Sequence, residues 1–154
     1  MYSFIKYLFS LFMALTLFAC TTSKSTVSNN VDLSQYEYAS VINNDTYHIP
    51  AELMEYEIQL FDAVENSHLK LVNDTRIYDL SPSQQKKLLL VKYAVNVQAE
   101  ETVIIVNFID YFSGRPVVSC RGAYSSLGVA SSSHDIKGAI NRVAKQISQT
   151  FSKR

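Results

Sequence analysis

The sequence predicts an α+β fold, a two-layer sandwich in which two amphipathic helices cover one face of a mainly antiparallel sheet. Three observations carry this expectation. Short apolar runs rich in β-branched residues, separated by turn residues, fill the second half of the chain. Apolar residues recur at helical spacing at 51–66 and again at 135–152. The apolar runs between those stretches are joined by hairpin-length connections, which force neighbouring strands to run antiparallel. With 154 residues the chain has room for one domain. A domain of this size can bury an adequate core without disulfides or metal.

Tyr36 to Ile42 alternates and reads as a first strand, broken by Asn43-Asn44-Asp45. Pro50 suits the start of a helix over about Ala51 to Asn66. Its apolar stripe is Leu53, Leu60, Phe61 and Val64, widened by Met54 and Ile58. Leu69 to Val72 and Arg76 to Leu80 read as two short strands around a turn at Asn73-Asp74. Ser81-Pro82-Ser83-Gln84-Gln85 reads as a capped helical turn. In the strand Leu88 to Gln98, Val91, Tyr93, Val95 and Val97 face one way, and Lys92, Asn96 and Gln98 the other. Thr102 to Phe112 is apolar on both faces, as a central strand should be. Ser113-Gly114-Arg115-Pro116 turns the chain into Val117 to Tyr124. A serine-rich loop leads to a last helix from about Asp135 to Ser152. Its Ile136, Ile140, Val143, Ile147 and Phe151 form the strongest helical pattern in the chain. The predicted order is β-α-β-β-β-β-β-α, with no internal repeat.

Residues 1–20 read MYSFIKYLFSLFMALTLFAC. Lys6 supplies a short positive region, Tyr7 to Ala19 an almost unbroken apolar one, and Ala19 a small residue before Cys20. This is the three-part plan of a secretory leader. Lys6 shortens the apolar stretch and argues against an uncleaved membrane span. Leu17-Phe18-Ala19-Cys20 resembles the lipobox of bacterial lipoproteins. The resemblance implies cleavage between Ala19 and Cys20 and a diacylglycerol on the Cys20 sulfur. Two or three acyl chains hold a protein to a bilayer where one does so only marginally. The expected organisation is a signal peptide at 1–19, a lipidated flexible tether at 20–34 and a single α+β domain at 35–154. The tether reading rests on the Ser, Thr and Asn content of Thr21 to Ser34. Thr21 stands where an inner-membrane lipoprotein would carry aspartate, so the resemblance implies an outer membrane and its periplasmic face.

A second resemblance covers about Leu88 to Phe151. Its marks are the hairpin Asn107-Phe108-Ile109-Asp110-Tyr111-Phe112-Ser113-Gly114-Arg115-Pro116-Val117 and the helix opening Asp135-Ile136-Lys137-Gly138-Ala139-Ile140. Together with the lipobox and an acidic first helix, these look like small periplasmic lipoproteins of the penicillin-binding-protein-activator and curli-secretion type. That resemblance implies a binding or assembly protein without catalysis.

The chain carries 14 basic and 14 acidic residues, a balance that offers nucleic acid no electrostatic attraction. No cofactor motif is present, and His48, His68 and His134 lack metal-ligand neighbours at helix or hairpin spacing. Ser131-Ser132-Ser133-His134-Asp135 puts Ser, His and Asp side by side, which suits a helix cap rather than a triad converging from separate elements. Cys120 reads as a small core residue. Asp110 reads as a turn acceptor. Glu57 falls inside the apolar stripe of the first helix, where a carboxylate needs a partner. It sits at the core edge with its head reaching solvent, pairs with a strand Lys or Arg, or marks a site. The first helix has no Lys or Arg, and its Glu52, Glu55 and Asp62 form either a solvated face or a docking surface for a basic partner. Tyr36, Tyr38, Tyr47, Tyr78, Tyr111 and Tyr124 are half-buried sheet residues, or anchors if several share an exposed face. The functional expectation is a lipid-anchored envelope protein acting by binding or assembly. Its alternatives are an envelope hydrolase built around Glu57 or Asp110 and a carrier of an apolar ligand.

Overall fold

The computed structural model describes residues 23–42, 51–98, 101–125 and 132–152. It has an α+β fold whose strands are β1 (Lys24–Val27), β2 (Tyr38–Val41), β3 (Lys70–Leu71), β4 (Leu88–Val97), β5 (Thr102–Asp110) and β6 (Pro116–Tyr124). The helices are α1 (Ala51–Glu65), the short α2 (Pro82–Gln85) and α3 (Ser132–Thr150). The sheet order is β1-β6-β5-β4-β2-β3. Strands β4, β5, β6 and β1 pair antiparallel, whereas β2 runs parallel to both β4 and β3. The sheet is therefore mixed. Hairpin logic holds from Leu88 to Tyr124, but the chain leaving β2 passes through α1, and a connection of that length allows parallel return.

Register sets the helix-covered face in rows. Val91, Phe108 and Val118 lie side by side, then Tyr93, Val106 and Cys120, then Val95, Ile104 and Gly122. Most of these are fully buried and join Ile136, Ile140, Val143, Ile147 and Phe151 of the α3 stripe in one core. The Phe108 and Phe151 rings meet with centroids 4.6 Å apart. On the opposite face the register aligns Lys92, Asn107 and Ser119 between apolar rows such as Leu90 and Ile109.

Helix α3 lies on β6 at unusually close range, and glycine makes this possible. A Cβ on Gly122 would stand 2.3 Å from the Ala139 carbonyl oxygen and 2.5 Å from the Val143 nitrogen. A Cβ on Gly138 would stand 2.3 Å from the Tyr124 ring. Arg142 then reaches over the same ring, 4.9 Å from its centroid, and donates to the Ala123 carbonyl at 2.6 Å.

Three expectations are corrected. Lys24 to Val27, expected within the tether at 20–34, is an edge strand on β6, from Lys24 opposite Arg121 to Val27 opposite Val118. The Ser28 N–H continues the ladder to the Val117 carbonyl at 2.8 Å, and Val31 and Leu33 pack on the core. The folded unit thus starts well before residue 35. Every residue of β1 is exposed, so its composition is as polar as a linker's. Second, Arg76 to Leu80 is not a strand, because Asp74–Asp79 winds into a 3-10 helix. The Asn73 side chain accepts from the Thr75 N–H, and Arg76 pairs with Asp79 at 2.9 Å. Such local bonds outcompete a ladder. Third, the α1 stripe is narrower than expected. Leu60, Ala63 and Val64 are buried, but Phe61, Met54 and Ile58 are 36%, 61% and 66% exposed. Helix α1 rests chiefly on α3 and on β3, so only one narrow edge of it is covered. The expected turn at Ser81 forms as a full capping box, with Ser81 and Gln84 each bonding the other's backbone.

Replacing Gly122 with alanine forces α3 off β6. The expected loss is about 1–3 kcal/mol, read from the urea midpoint, and alanine at the exposed Asn96 should leave that midpoint unchanged.

Candidate functional site

An open cleft of about 360 Å³ lies where α1 meets the β2–β3 edge of the sheet. Val41, Phe61, Leu71 and Val72 form its apolar walls, and Glu57, Asn73 and Asp74 supply its polar groups. Each comes from a local rule. Val41 ends the inward face of β2. Leu71 belongs to a two-residue edge strand, and Asn73 and Asp74 open the 3-10 helix that follows. Glu57 and Phe61 stand one turn apart on α1, on the flank that α3 does not cover. Among the described residues no Lys, Arg or His lines the cleft.

Glu57 is half-buried. Its partner is the Tyr93 hydroxyl, which donates to Oε1 in a short hydrogen bond. Tyr93 begins on the helix-covered face of β4 and reaches out under α1 to make it. Burial, reinforced by the Glu57 charge, holds the Tyr93 hydroxyl well above the usual phenol range. Among the described residues no hydrogen bond or salt bridge reaches Oε2 of Glu57. The exposed Met54 and Ile58 continue the apolar surface of Phe61 along α1.

Asp110 belongs to a different place. It closes the β5–β6 turn by accepting from the Ser113 N–H at 2.7 Å, and it accepts from the buried Tyr36 hydroxyl at 3.0 Å. Burial opposes its charge, but these bonds outweigh burial and hold the carboxyl below its ordinary range. Burial and the same carboxylate push Tyr36 up to about 12. His68 stands between two backbone carbonyls, 2.7 Å from Phe151 and 3.1 Å from Tyr36. It ties the end of α3 to the start of β2.

The remaining sequence candidates are dispersed. Ala19 and Cys20 lie outside the described residues, as does His48. Glu52 and Glu55 lie on α1 with side chains outside the described set, and Asp62 is exposed. His134 stands in the first turn of α3, 3.4 Å from the Tyr124 hydroxyl, and Asp135 shares that turn. Cys120 is buried, its thiol pushed up to about 11 by burial. Among the described residues no three His, Cys, Asp or Glu gather to hold a metal. No described helix is long and apolar enough to cross a membrane. Tyr47 lies outside the described residues, and the described tyrosines share no single face: Tyr78 is 85% exposed, Tyr36 buried and Tyr124 folded under Arg142. Sequence reasoning sought a Lys or Arg for Glu57 and missed Tyr93. The available signal was a hydroxyl at an inward strand position opposite the one carboxylate within a helical stripe.

Tyr93→Phe removes the donor to Glu57 and keeps the ring. The expected loss is about 1.5–3 kcal/mol, measured by chemical denaturation. Asp110→Asn tests the turn. A carboxyl depressed in the fold contributes stability above its unfolded value of about 3.9 and loses it as pH falls through the folded value. The wild type should therefore lose stability below about pH 4 more steeply than the variant, followed by melting temperature across about pH 2.5 to 7, a range that brackets that value.

No protein-family model matches this chain, and no curated protein matches it. Solved structures do share its fold. A variant PelC dodecamer from Paraburkholderia phytofirmans aligns with a TM-score of 0.58 at 13% identity, over 85% of this chain and 99% of that one. The PelC dodecamer in another crystal form aligns at 0.52 and 13%, over 86% and 99%. A PDZ domain protein from Parabacteroides distasonis aligns at 0.52 and 12%, over 86% of this chain and 36% of that one. At these identities the likeness establishes a common fold and nothing further.

Proposed function

We propose that the protein is a lipid-anchored component of a bacterial cell envelope that works by binding or assembly, held at the periplasmic face of the outer membrane through acyl chains on Cys20. The leader and the Leu17-Phe18-Ala19-Cys20 sequence support the anchor. The observation that carries the binding half is the α1 flank, where Met54, Ile58 and Phe61 present apolar surface beside an acidic cleft. Surface of this kind costs solubility unless something covers it. The hydrolase reading has less support, because Glu57 and Asp110 occupy separate places and each already has a tyrosine donor. The apolar-carrier reading needs a closed dry cavity, and the described cleft is open with two carboxylates.

Two measurements test the reading. Intact-mass analysis of membrane-extracted protein should give a diacylated chain beginning at Cys20, and Cys20→Ala should move the protein out of the membrane fraction. A mass retaining residues 1–19 would overturn the anchor. A photo-crosslinker placed at Ile58 in intact cells should give a discrete adduct that Phe61→Asp abolishes, whereas one at Lys92 on the opposite sheet face should give none. Equal labelling from both positions would refute docking on α1.

A further inference from the structure

We propose that the cleft beside α1 is a receptor for one cationic side chain, an arginine or lysine, presented by an extended and otherwise apolar segment of a protein partner. The inference rests on the binding reading above and adds the chemistry of what is bound. Its basis is an imbalance built into the cleft. Two carboxylates, Glu57 and Asp74, line it, with no basic residue among the described lining. Helix α1 adds Asp62 and Glu65 and contains no Lys or Arg, so the local potential is negative. An anionic or purely apolar occupant would leave that charge unanswered.

The geometry favours a side chain over a bare ion. Tyr93 holds Oε1 of Glu57 and thereby orients the carboxylate, leaving Oε2 without a partner among the described residues. A held carboxylate loses less entropy on binding than a free one. The walls Val41, Phe61, Leu71 and Val72 suit the methylene stem of a lysine or arginine, whose charged head then reaches Glu57. Phe61 is among the lining residues, and an aromatic ring there is a surface on which the same cation can stack. The volume, about 360 Å³, leaves space for an apolar neighbour beside the cationic group. A metal ion is disfavoured because no third His, Cys, Asp or Glu joins the two carboxylates among the described residues. The partner's extended form follows from β3, the last strand of the sheet, which has no neighbour on its outer side among the described residues.

The test uses the full lipidated chain in detergent and two dye-labelled peptides, Leu-Val-Arg-Val-Leu and its citrulline counterpart, which keeps shape and loses charge. Fluorescence anisotropy should show the arginine peptide binding about tenfold tighter, the size expected of one charge-assisted pair. Glu57→Gln should erase that preference, and Glu101→Gln, which neutralises a carboxylate beside β5 away from the cleft, should keep it. Melting curves verify that both variants fold, and Phe61→Leu, which keeps an apolar wall without a ring, should weaken arginine binding only partly. Equal binding of the two peptides, no binding at about 1 mM, or a preference that survives Glu57→Gln would each overturn the proposal. If adducts from Ile58 persist while the arginine preference is absent, the cleft chemistry fails and docking on α1 stands. If the adducts are absent too, both fail.

Discussion

The close seating of α3 on β6 is the contact on which the rest of the structure depends. It exists because Gly122 offers no side chain to the Ala139–Val143 turn and Gly138 offers none to the Tyr124 ring. Backbone meets backbone there, and the α3 stripe from Ile136 to Phe151 reaches deep into the sheet. Interiors are packed as tightly as organic crystals, so one added methyl at such a point is transmitted through the layer. His68 secures the far end by bridging the carbonyls of Phe151 and Tyr36.

Helix α1 inherits its position from α3. It leans on that helix and on the short β3 rather than spreading across the sheet. One narrow edge, Leu60, Ala63 and Val64, is therefore buried, and the neighbouring flank stays open. Glu57 falls on the boundary between the two. A carboxylate in the core would need full pairing, and one in water would need none. At the boundary Glu57 has the Tyr93 hydroxyl of β4 as its partner among the described residues. The cleft is thus a consequence of helix placement.

This arrangement suits recognition. Its groups are oriented by the scaffold, and its apolar walls are continuous with exposed surface on α1. Asp110, the other carboxylate with a tyrosine donor, is spent on closing the β5–β6 turn and carrying the Tyr36 hydroxyl. The two sites show how one motif, a carboxylate under a phenol, serves structure in one place and, among the described residues, leaves an oxygen without a partner in the other.

Periodicity and turn chemistry made much of the fold legible. The α3 stripe, the antiparallel run from Leu88 to Tyr124, the Ser81 capping box and the start of α1 at Ala51 all follow from local rules written in neighbouring residues. Glu57 stood out for the same reason, as a charge where the period demanded an apolar group. Contacts between residues distant in the chain were not legible. Nothing near Lys24 announces that it pairs with Arg121, because an exposed edge strand has the composition of a linker. Nothing near Tyr38 announces a parallel partner at Leu88, because the choice between hairpin and crossover is made by where α1 packs. The exposure of Met54 and Ile58, and the Tyr93 partner of Glu57, were decided the same way. By itself the sequence determined the elements and their inward faces, since those depend on residues within a turn or a strand of one another. Only the tertiary structure decided which flank of α1 is left bare and which hydroxyl meets its carboxylate, since both depend on how closely α3 can approach a glycine on β6.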